Sequence, residues 1–308
     1  MSAFEVLCGT AHPELGEAVA RELGRAPLGR SIERTPDGEL LVRVDESVRG
    51  RAIAVVQPTH APVGDHLIEL LLIGDACVRA GARTVVAVVP YLGYGRQDRR
   101  AAPGDALGAR VFGAALGAVR FGRVLVVDPH DPGVEAGFSC PVDSLSAMTT
   151  LTEALEPIDH EKSVVVAPDL GAAKLAERVA HRLRLPFAIV HKRRMSPVEA
   201  RAGRIVGEVR GLRPILVDDI ISTAGTIASA IERLLDEGAA EPITVVATHG
   251  LFADPAAARL AALPIARVIT TDTVPRPAQP SFVHASVSIA PLLAEAILRL
   301  GAGGALEV

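Results

Sequence analysis

Ten consecutive residues, Val217-Asp218-Asp219-Ile220-Ile221-Ser222-Thr223-Ala224-Gly225-Thr226, hold the densest chemistry in this chain. The apolar run Pro214 to Val217 reads as a strand buried on both faces. Two carboxylates follow it, and then a small, hydroxyl-rich turn leads into a helical pattern over Ile227–Glu237. At the mouth of a parallel sheet this order suits a phosphosugar. Turn amides, hydroxyls and the positive end of the next helix favour a phosphate. The two acids can accept hydrogen bonds from sugar hydroxyls or hold a cation that accompanies a phosphate. A capped helix start would explain the Ser, Thr and Gly on its own. It would not explain adjacent acids under an apolar strand, which are costly unless paired or bound.

Other groups recur at the same kind of place. Pro36-Asp37-Gly38-Glu39 is a tight turn presenting two acids, and in isolation reads as a solvated tip. Tyr91-Leu92-Gly93-Tyr94-Gly95-Arg96-Gln97-Asp98-Arg99-Arg100 follows a strand and gathers forked donors that suit a polyphosphate. Asp128-Pro129-His130-Asp131 and Pro168-Asp169-Leu170-Gly171 each come directly after a strand-like run, and His191-Lys192-Arg193-Arg194 after another. The polar segment Ser196–Arg204 reads as a mobile flap. Lysine occurs only at positions 162, 174 and 192, so Lys192 beside two arginines hints at a need for a compact ammonium. Each group is weak alone. Together they set acids, a histidine and a basic cluster at the carboxyl ends of parallel strands, where open α/β sheets bind ligands.

The elements that must position these groups alternate along the chain. Strand-like runs are Ala52–Gln57, Thr84–Val89, Arg123–Val127, Ser163–Ala167, Phe187–Val190, Ile215–Val217, Ile243–Ala247 and Arg267–Ile269. Helical patterns fall over Asp65–Ala80, Ala106–Val119, Gly171–Leu183 and Thr226–Glu237, with a closing helix at Ala290–Leu300. Such alternation predicts an α/β fold of mostly parallel sheets flanked by helices. At 308 residues the chain exceeds the usual size of one core. Two domains are therefore expected, 1–144 and 145–308, with helix 290–300 packing back on the first.

Composition narrows the class. A net charge of −4 argues against nucleic acid as the main partner. Cys8, Cys77 and Cys140 show neither metal spacing nor a disulfide framework. No stretch has the length of a membrane span and no signal pattern is present, so a soluble cytoplasmic protein is expected. There is no Gly-x-x-x-x-Gly-Lys-[Ser/Thr] loop and no Gly-x-Gly-x-x-Gly after the first strand. A P-loop kinase and a nicotinamide enzyme are both disfavoured.

In order, these motifs resemble those of the ribose-phosphate diphosphokinase (phosphoribosyl pyrophosphate, PRPP, synthetase) family. Gly9-Thr10-Ala11-His12-Pro13-Glu14-Leu15 resembles the family's N-terminal strand and turn. Pro36–Glu39, Glu46–Gly50, Gln57-Pro58-Thr59, Arg96–Arg99, Asp128-Pro129-His130, Pro168-Asp169, Lys192-Arg193-Arg194 and Val217–Thr226 follow. Thr248-His249-Gly250, Thr271-Asp272-Thr273 and Ala290–Ile297 complete a likeness spanning almost the entire chain.

The resemblance implies two phosphoribosyltransferase-like domains and Mg²⁺-dependent transfer of the diphosphoryl group of ATP to the anomeric hydroxyl of ribose 5-phosphate, giving PRPP and AMP. It assigns ATP contacts to Asp37, Gly38, Glu39, Arg96, Gln97 and Arg99. Ribose 5-phosphate falls to Asp218, Asp219, Ser222, Thr223, Ala224, Gly225 and Thr226. His130 and Asp169 would position Mg²⁺, and Lys192 and Arg194, with His130, would serve catalysis. It also implies a homo-oligomer in which Asp37 and Glu39 read adenine across a subunit contact.

Some residues depart from the family pattern. Thr35 stands where an adenine-stacking Phe is usual. The loop Ala102–Gly108 resembles a shorter, archaeal-type form, Ser222 replaces the more frequent Asp, and the flap Met195–Gly207 keeps length but little sequence. These leave open a divergent paralogue using another pentose phosphate or nucleotide. A non-catalytic regulatory homologue is disfavoured by the presence of Lys192, Arg194 and His130. A plain phosphoribosyltransferase would leave the N-terminal motifs surplus.

Overall fold

The computed structural model describes residues 3–194, 200–278 and 280–303, with the side chains of 192–194 and 200–203 left aside. These residues form two compact units. The first is Met1–Ser146 with Thr273–Pro275 and Ser288–Val308; the second is Ala147–Asp272 with Arg276–Val287.

The first unit is built on a five-stranded parallel sheet. Its strands are β1 (Phe4–Cys8), β4 (Ala52–Val56), β5 (Thr84–Val89), β6 (Arg123–Val127) and β7 (Val142–Leu145), in that order across the sheet. β4 is buried at every position and β5 and β6 at all but their first, as expected of strands covered on both faces. Antiparallel β2 (Arg30–Arg34) and β3 (Leu40–Val44) form a separate hairpin whose tip is the Pro36–Glu39 turn. Helix α1 (Pro13–Glu22) opens with Pro at its start and the His12 ring nitrogen accepting from Leu15 N–H, at 3.4 Å. α2 (Val63–Arg79) packs on β3, β4 and β5, and α3 (Gly108–Ala118) on a short 3-10 helix, Pro132–Gly137. The closing helix, α8 (Ala290–Ala302), lies on α1 and β1. Leu70 and Ile73 of α2 and Phe112 and Leu116 of α3 fill the core against Ile53, Val55, Val124 and Val126.

In the second unit a seven-stranded sheet runs β10-β9-β8-β11-β12-β13-β14. These are β8 (Ser163–Ala167), β9 (Phe187–Arg194), β10 (Ala200–Val206), β11 (Arg213–Ile221), β12 (Ile243–Gly250), β13 (Ile265–Thr271) and β14 (His284–Val287). All pairs are parallel except β9 with β10. Helices α4 (Met148–Leu155), α5 (Ala173–Leu183), α6 (Gly225–Asp236) and α7 (Ala256–Ala261) complete the unit. Ile227, Ala230, Ile231 and Leu234 make the α6 face that packs into a core with Leu216, Val245 and Val268.

Strands β2, β3, β7 and β14 were not foreseen, and two elements that bear on the site differ from the sequence expectation. The strand foreseen as ending at Val217 runs on to Ile221, because β12 continues beside it and pairs Asp218 with Ala247 and Ile220 with His249. The segment expected as a flap, Ser196–Arg204, begins outside the described residues, and from Ala200 it is strand β10. There Ala200 faces Arg194 and Ala202 faces Lys192 across an antiparallel ladder.

Candidate functional site

In the second unit the acids mark the place where the ladder opens. β8 pairs with β11 from Arg213 to Leu216 and ends at Ala167, so the Asp218-Asp219 pair has outrun that neighbour. Asp169 occupies the loop that follows β8. One of its oxygens accepts the N–H of Gly171 at 2.9 Å and of Ala172 at 3.3 Å, which orders the turn into α5. The Asp219 N–H donates to Asp218 Oδ1 at 2.9 Å. Burial, the neighbouring charge of Asp219 and then that of Asp169 hold the Asp218 carboxyl well above the usual carboxylate range. Acids gathered in this way are relieved by a cation or by hydroxyl donors.

Directly beyond, Ser222 and Thr223 lead to Ala224, which takes a left-handed conformation (φ 58°, ψ 13°) at the N-cap of α6. No side chain caps this helix. Its first N–H groups and the positive end of its dipole are thus presented at the loop, the arrangement that receives an anion. Lys192 and Arg194 sit near the free end of β9, where only the backbone is described. The structure therefore brings Asp169, Asp218, Asp219 and Ser222–Thr226 together at the carboxyl ends of two adjacent central strands, β8 and β11, of one sheet.

In the first unit the expected residues fall on separate elements. Asp37, Gly38 and Glu39 form the β2–β3 tip. Thr35 ties that tip down. Its hydroxyl donates to Asp37 Oδ1 and accepts from Glu39 N–H at 3.0 Å, and its backbone N–H donates to Glu39 O at 2.9 Å. The Thr35 hydroxyl also keeps the Asp37 carboxyl below its ordinary value. Arg34 braces the same turn, donating to Gly38 O at 2.6 Å and Asp65 Oδ2 at 2.8 Å. The residue read as a lost stacking ring thus has a positive role, fixing the two acids next to it.

Arg96 and Arg99 are exposed on the loop after β5 and make no ion pair among the described residues. Gln97, on the same loop, is exposed as well. Its side-chain oxygen lies 2.6 Å from where a Cβ on Gly108 would sit, at the start of α3. His130 is exposed in the loop after β6. Among the described residues no three His, Cys, Asp or Glu side chains are grouped to hold a metal by themselves.

Sequence reasoning assigned no side-chain role to the Gly9–Leu15 and Gln57–Thr59 motifs, which the fold joins. Gln57 is fully buried, with Oε1 accepting from Ala11 N–H at 3.1 Å and Nε2 donating to His66 O at 3.4 Å. Thr10 donates its N–H and its hydroxyl to the buried Glu69 carboxylate. Thr59 accepts from Gly93 N–H at 2.7 Å and donates to Tyr91 O at 3.1 Å. These bonds pin the loops at the carboxyl end of the sheet.

Comparison with known proteins identifies the family. Residues 4–119 match the N-terminal domain of ribose phosphate pyrophosphokinase, and residues 194–307 match the phosphoribosyl synthetase-associated domain. A ribose-phosphate pyrophosphokinase from Caldanaerobacter subterraneus subsp. tengcongensis is 41% identical over 98% of this chain and 96% of its own. The chain belongs to the ribose-phosphate pyrophosphokinase family. The Bacillus subtilis ribose-phosphate pyrophosphokinase is 38% identical over 94% of this chain and 91% of its own. The crystal structure of phosphoribosylpyrophosphate synthetase from Mycobacterium smegmatis superposes with a TM-score of 0.92 at 36% identity, covering 98% of this chain and 100% of that one. The α/β architecture expected from the strand and helix pattern is the fold of this ribose-phosphate pyrophosphokinase family. No helix among the described residues is long and apolar enough to cross a membrane.

Proposed function

We propose that the protein transfers the diphosphoryl group of ATP to the anomeric hydroxyl of ribose 5-phosphate, with Mg²⁺, releasing AMP and PRPP. The observation that carries the reading is the β11–α6 junction. An acid pair that has outrun its β8 neighbour leads into an uncapped helix start, on a chain alike over nearly its full length to enzymes of this name. In this reading Ser222, Thr223, Ala224, Gly225 and Thr226 bind the 5-phosphate through backbone N–H groups and hydroxyls. Asp218 and Asp219 accept hydrogen bonds from the ribose hydroxyls and so orient the anomeric oxygen. Lys192 and Arg194 supply positive charge where the diphosphate is transferred, and Arg96, Gln97 and Arg99 hold ATP. Asp37 and Glu39, with Gly38 between them at the ATP contact, read the adenine edge across a subunit contact of a homo-oligomer.

The donor set fits Mg²⁺. Asp169 uses one carboxylate oxygen on backbone N–H groups and keeps the other, and Asp218 already carries unrelieved negative potential. A cation bound by one or two protein groups and mostly by phosphate oxygens is the usual state of Mg²⁺, and no all-protein cage is required. Asp169 and His130 are the residues that would hold it, and bound Mg²⁺ would neutralise charge on the transferred group. The rest of the catalysis is positioning and electrostatic stabilisation by the chain's own groups. The loop Ala102–Gly108 is read as the short, archaeal-type form. It is closed on itself by Asp105 Oδ2, which accepts from Ala101 N–H at 3.1 Å and Ala102 N–H at 2.7 Å. The compartment proposed is the cytoplasm.

The purified protein, given ATP, Mg²⁺ and ribose 5-phosphate, is expected to release one AMP per sugar phosphate consumed, read by ion-exchange chromatography. Release of ADP instead, or ATP turnover indifferent to the sugar phosphate, would overturn the reading.

A further inference from the structure

A single arginine outside every motif considered so far reaches the β11–α6 loop. Arg259 projects from α7, and its NH1 donates to the Thr223 carbonyl at 2.8 Å across 36 residues of chain. The same nitrogen lies 3.5 Å from where a Cβ on Gly225 would stand, so the guanidinium rests against the first turn of α6. It is exposed, and the Thr223 carbonyl is its one partner among the described residues. A cation held at the positive end of a helix is placed unfavourably on its own account. A neighbouring anion reverses that balance.

The direction of the bond matters as well. In a planar trans peptide the C=O and the N–H point opposite ways. Fixing the Thr223 carbonyl toward Arg259 therefore aims the Ala224 N–H away from the arginine, to the other side of the peptide. The left-handed Ala224 (φ 58°) is the least favourable conformation in the loop for a residue with a Cβ, so this peptide is the one most in need of an external hold. If the peptide flipped, a carbonyl would face the phosphate in place of a donor.

The geometry points to Arg259 as a positioning residue for the sugar-phosphate loop. It holds the Thr223–Ala224 peptide with its N–H toward the 5-phosphate and adds positive potential there. The inference rests on the proposed binding of a phosphorylated sugar at Ser222–Thr226.

The test compares Arg259→Ala, Arg259→Lys and Asp218→Asn in the full-length protein by steady-state kinetics and by calorimetric titration with ribose 5-phosphate. Arg259→Ala should raise KM and Kd for ribose 5-phosphate about tenfold, the scale of one exposed charge-assisted bond, with kcat and KM for ATP within about twofold. Arg259→Lys should recover part of the loss, since one carbonyl needs one donor. Unchanged ribose 5-phosphate binding in Arg259→Ala, with Asp218→Asn still weakened, would overturn the role of Arg259 and leave the site standing. No effect in either variant would overturn the site itself. A fall in kcat and a rise in both KM values together would mark Arg259 as merely structural, and would also overturn the inference.

Discussion

Gly9→Ala tests the lock between the first two loops of the N-terminal unit. Gly9 has no positive φ to protect, so the question is one of space alone. A Cβ there would stand 2.0 Å from Gln57 Oε1, 2.4 Å from Cδ and 3.0 Å from Nε2. The whole amide must move. It is fully buried, and its Oε1 is the acceptor for Ala11 N–H. Forcing an extra methyl into a packed interior costs about 1–3 kcal/mol. Leaving a buried N–H without its acceptor costs about 1–3 kcal/mol more. A loss of roughly 3 kcal/mol follows, read from the urea midpoint at constant slope. Gln57→Ala alone should cost about 2 kcal/mol, through the same orphaned N–H and a small cavity. In the double variant the methyl occupies vacated space, so Gly9→Ala should then cost under about 1 kcal/mol, a coupling of about 2 kcal/mol. A Gly9→Ala protein within about 0.5 kcal/mol of the parent, or strictly additive effects, would refute the reasoning.

Four further outcomes are expected. Thr35→Ala should raise KM for ATP about threefold to tenfold by releasing Asp37 and Glu39, while Thr35→Ser stays near the parent; equal KM values for all three would make the turn bonds idle. Thr35→Phe adds a ring worth about 1 kcal/mol but discards the same bonds, so KM for ATP should change by less than about threefold. Asp218→Asn should raise KM for ribose 5-phosphate and also raise the melting temperature of the free protein, since like-charge repulsion is removed; a lower melting temperature would contradict the crowding of acids. Burial, His66 and His12 push the His60 imidazole down to about 4. The unfolded chain, with the ordinary value of 6.5, then binds the proton more readily, so stability falls as pH drops from about 6.5 toward 4. His60→Gln should flatten that decline by about 1 kcal/mol, allowing for the ring's partial exposure, in denaturation series at pH 7 and pH 5. An unaltered slope would mean the ring is not held neutral by its surroundings.

The parts of the fold visible in the sequence are those that burial makes monotonous. Thr84–Val89, Arg123–Val127 and Ser163–Ala167 are continuous β-branched and apolar runs, and the strands have those same limits. Strands that face water or carry charge were not visible. β2 and β3 have no fully buried residue, β7 and β14 have only four residues each, and β11 continues through two acids only because β12 offers a ladder. For the site, the acid pair and its loop are contiguous and could be read directly. Thr35 could be noticed as an oddity but not understood, since its partners depend on the turn closing. The bonds from Gln57 to Ala11 and from Arg259 to Thr223 join residues 46 and 36 apart, and no local pattern announces them.

The central claim is the transfer of an intact diphosphate to a sugar phosphate. A ³¹P NMR time course on the purified protein with ATP, Mg²⁺ and ribose 5-phosphate tests it most directly. Loss of the ATP signals, growth of an AMP phosphate singlet, and a new coupled pair from a diphosphate on the sugar's anomeric carbon are expected. Appearance of ADP with a singly phosphorylated product, of free pyrophosphate without the coupled pair, or of no reaction in a folded preparation would contradict it.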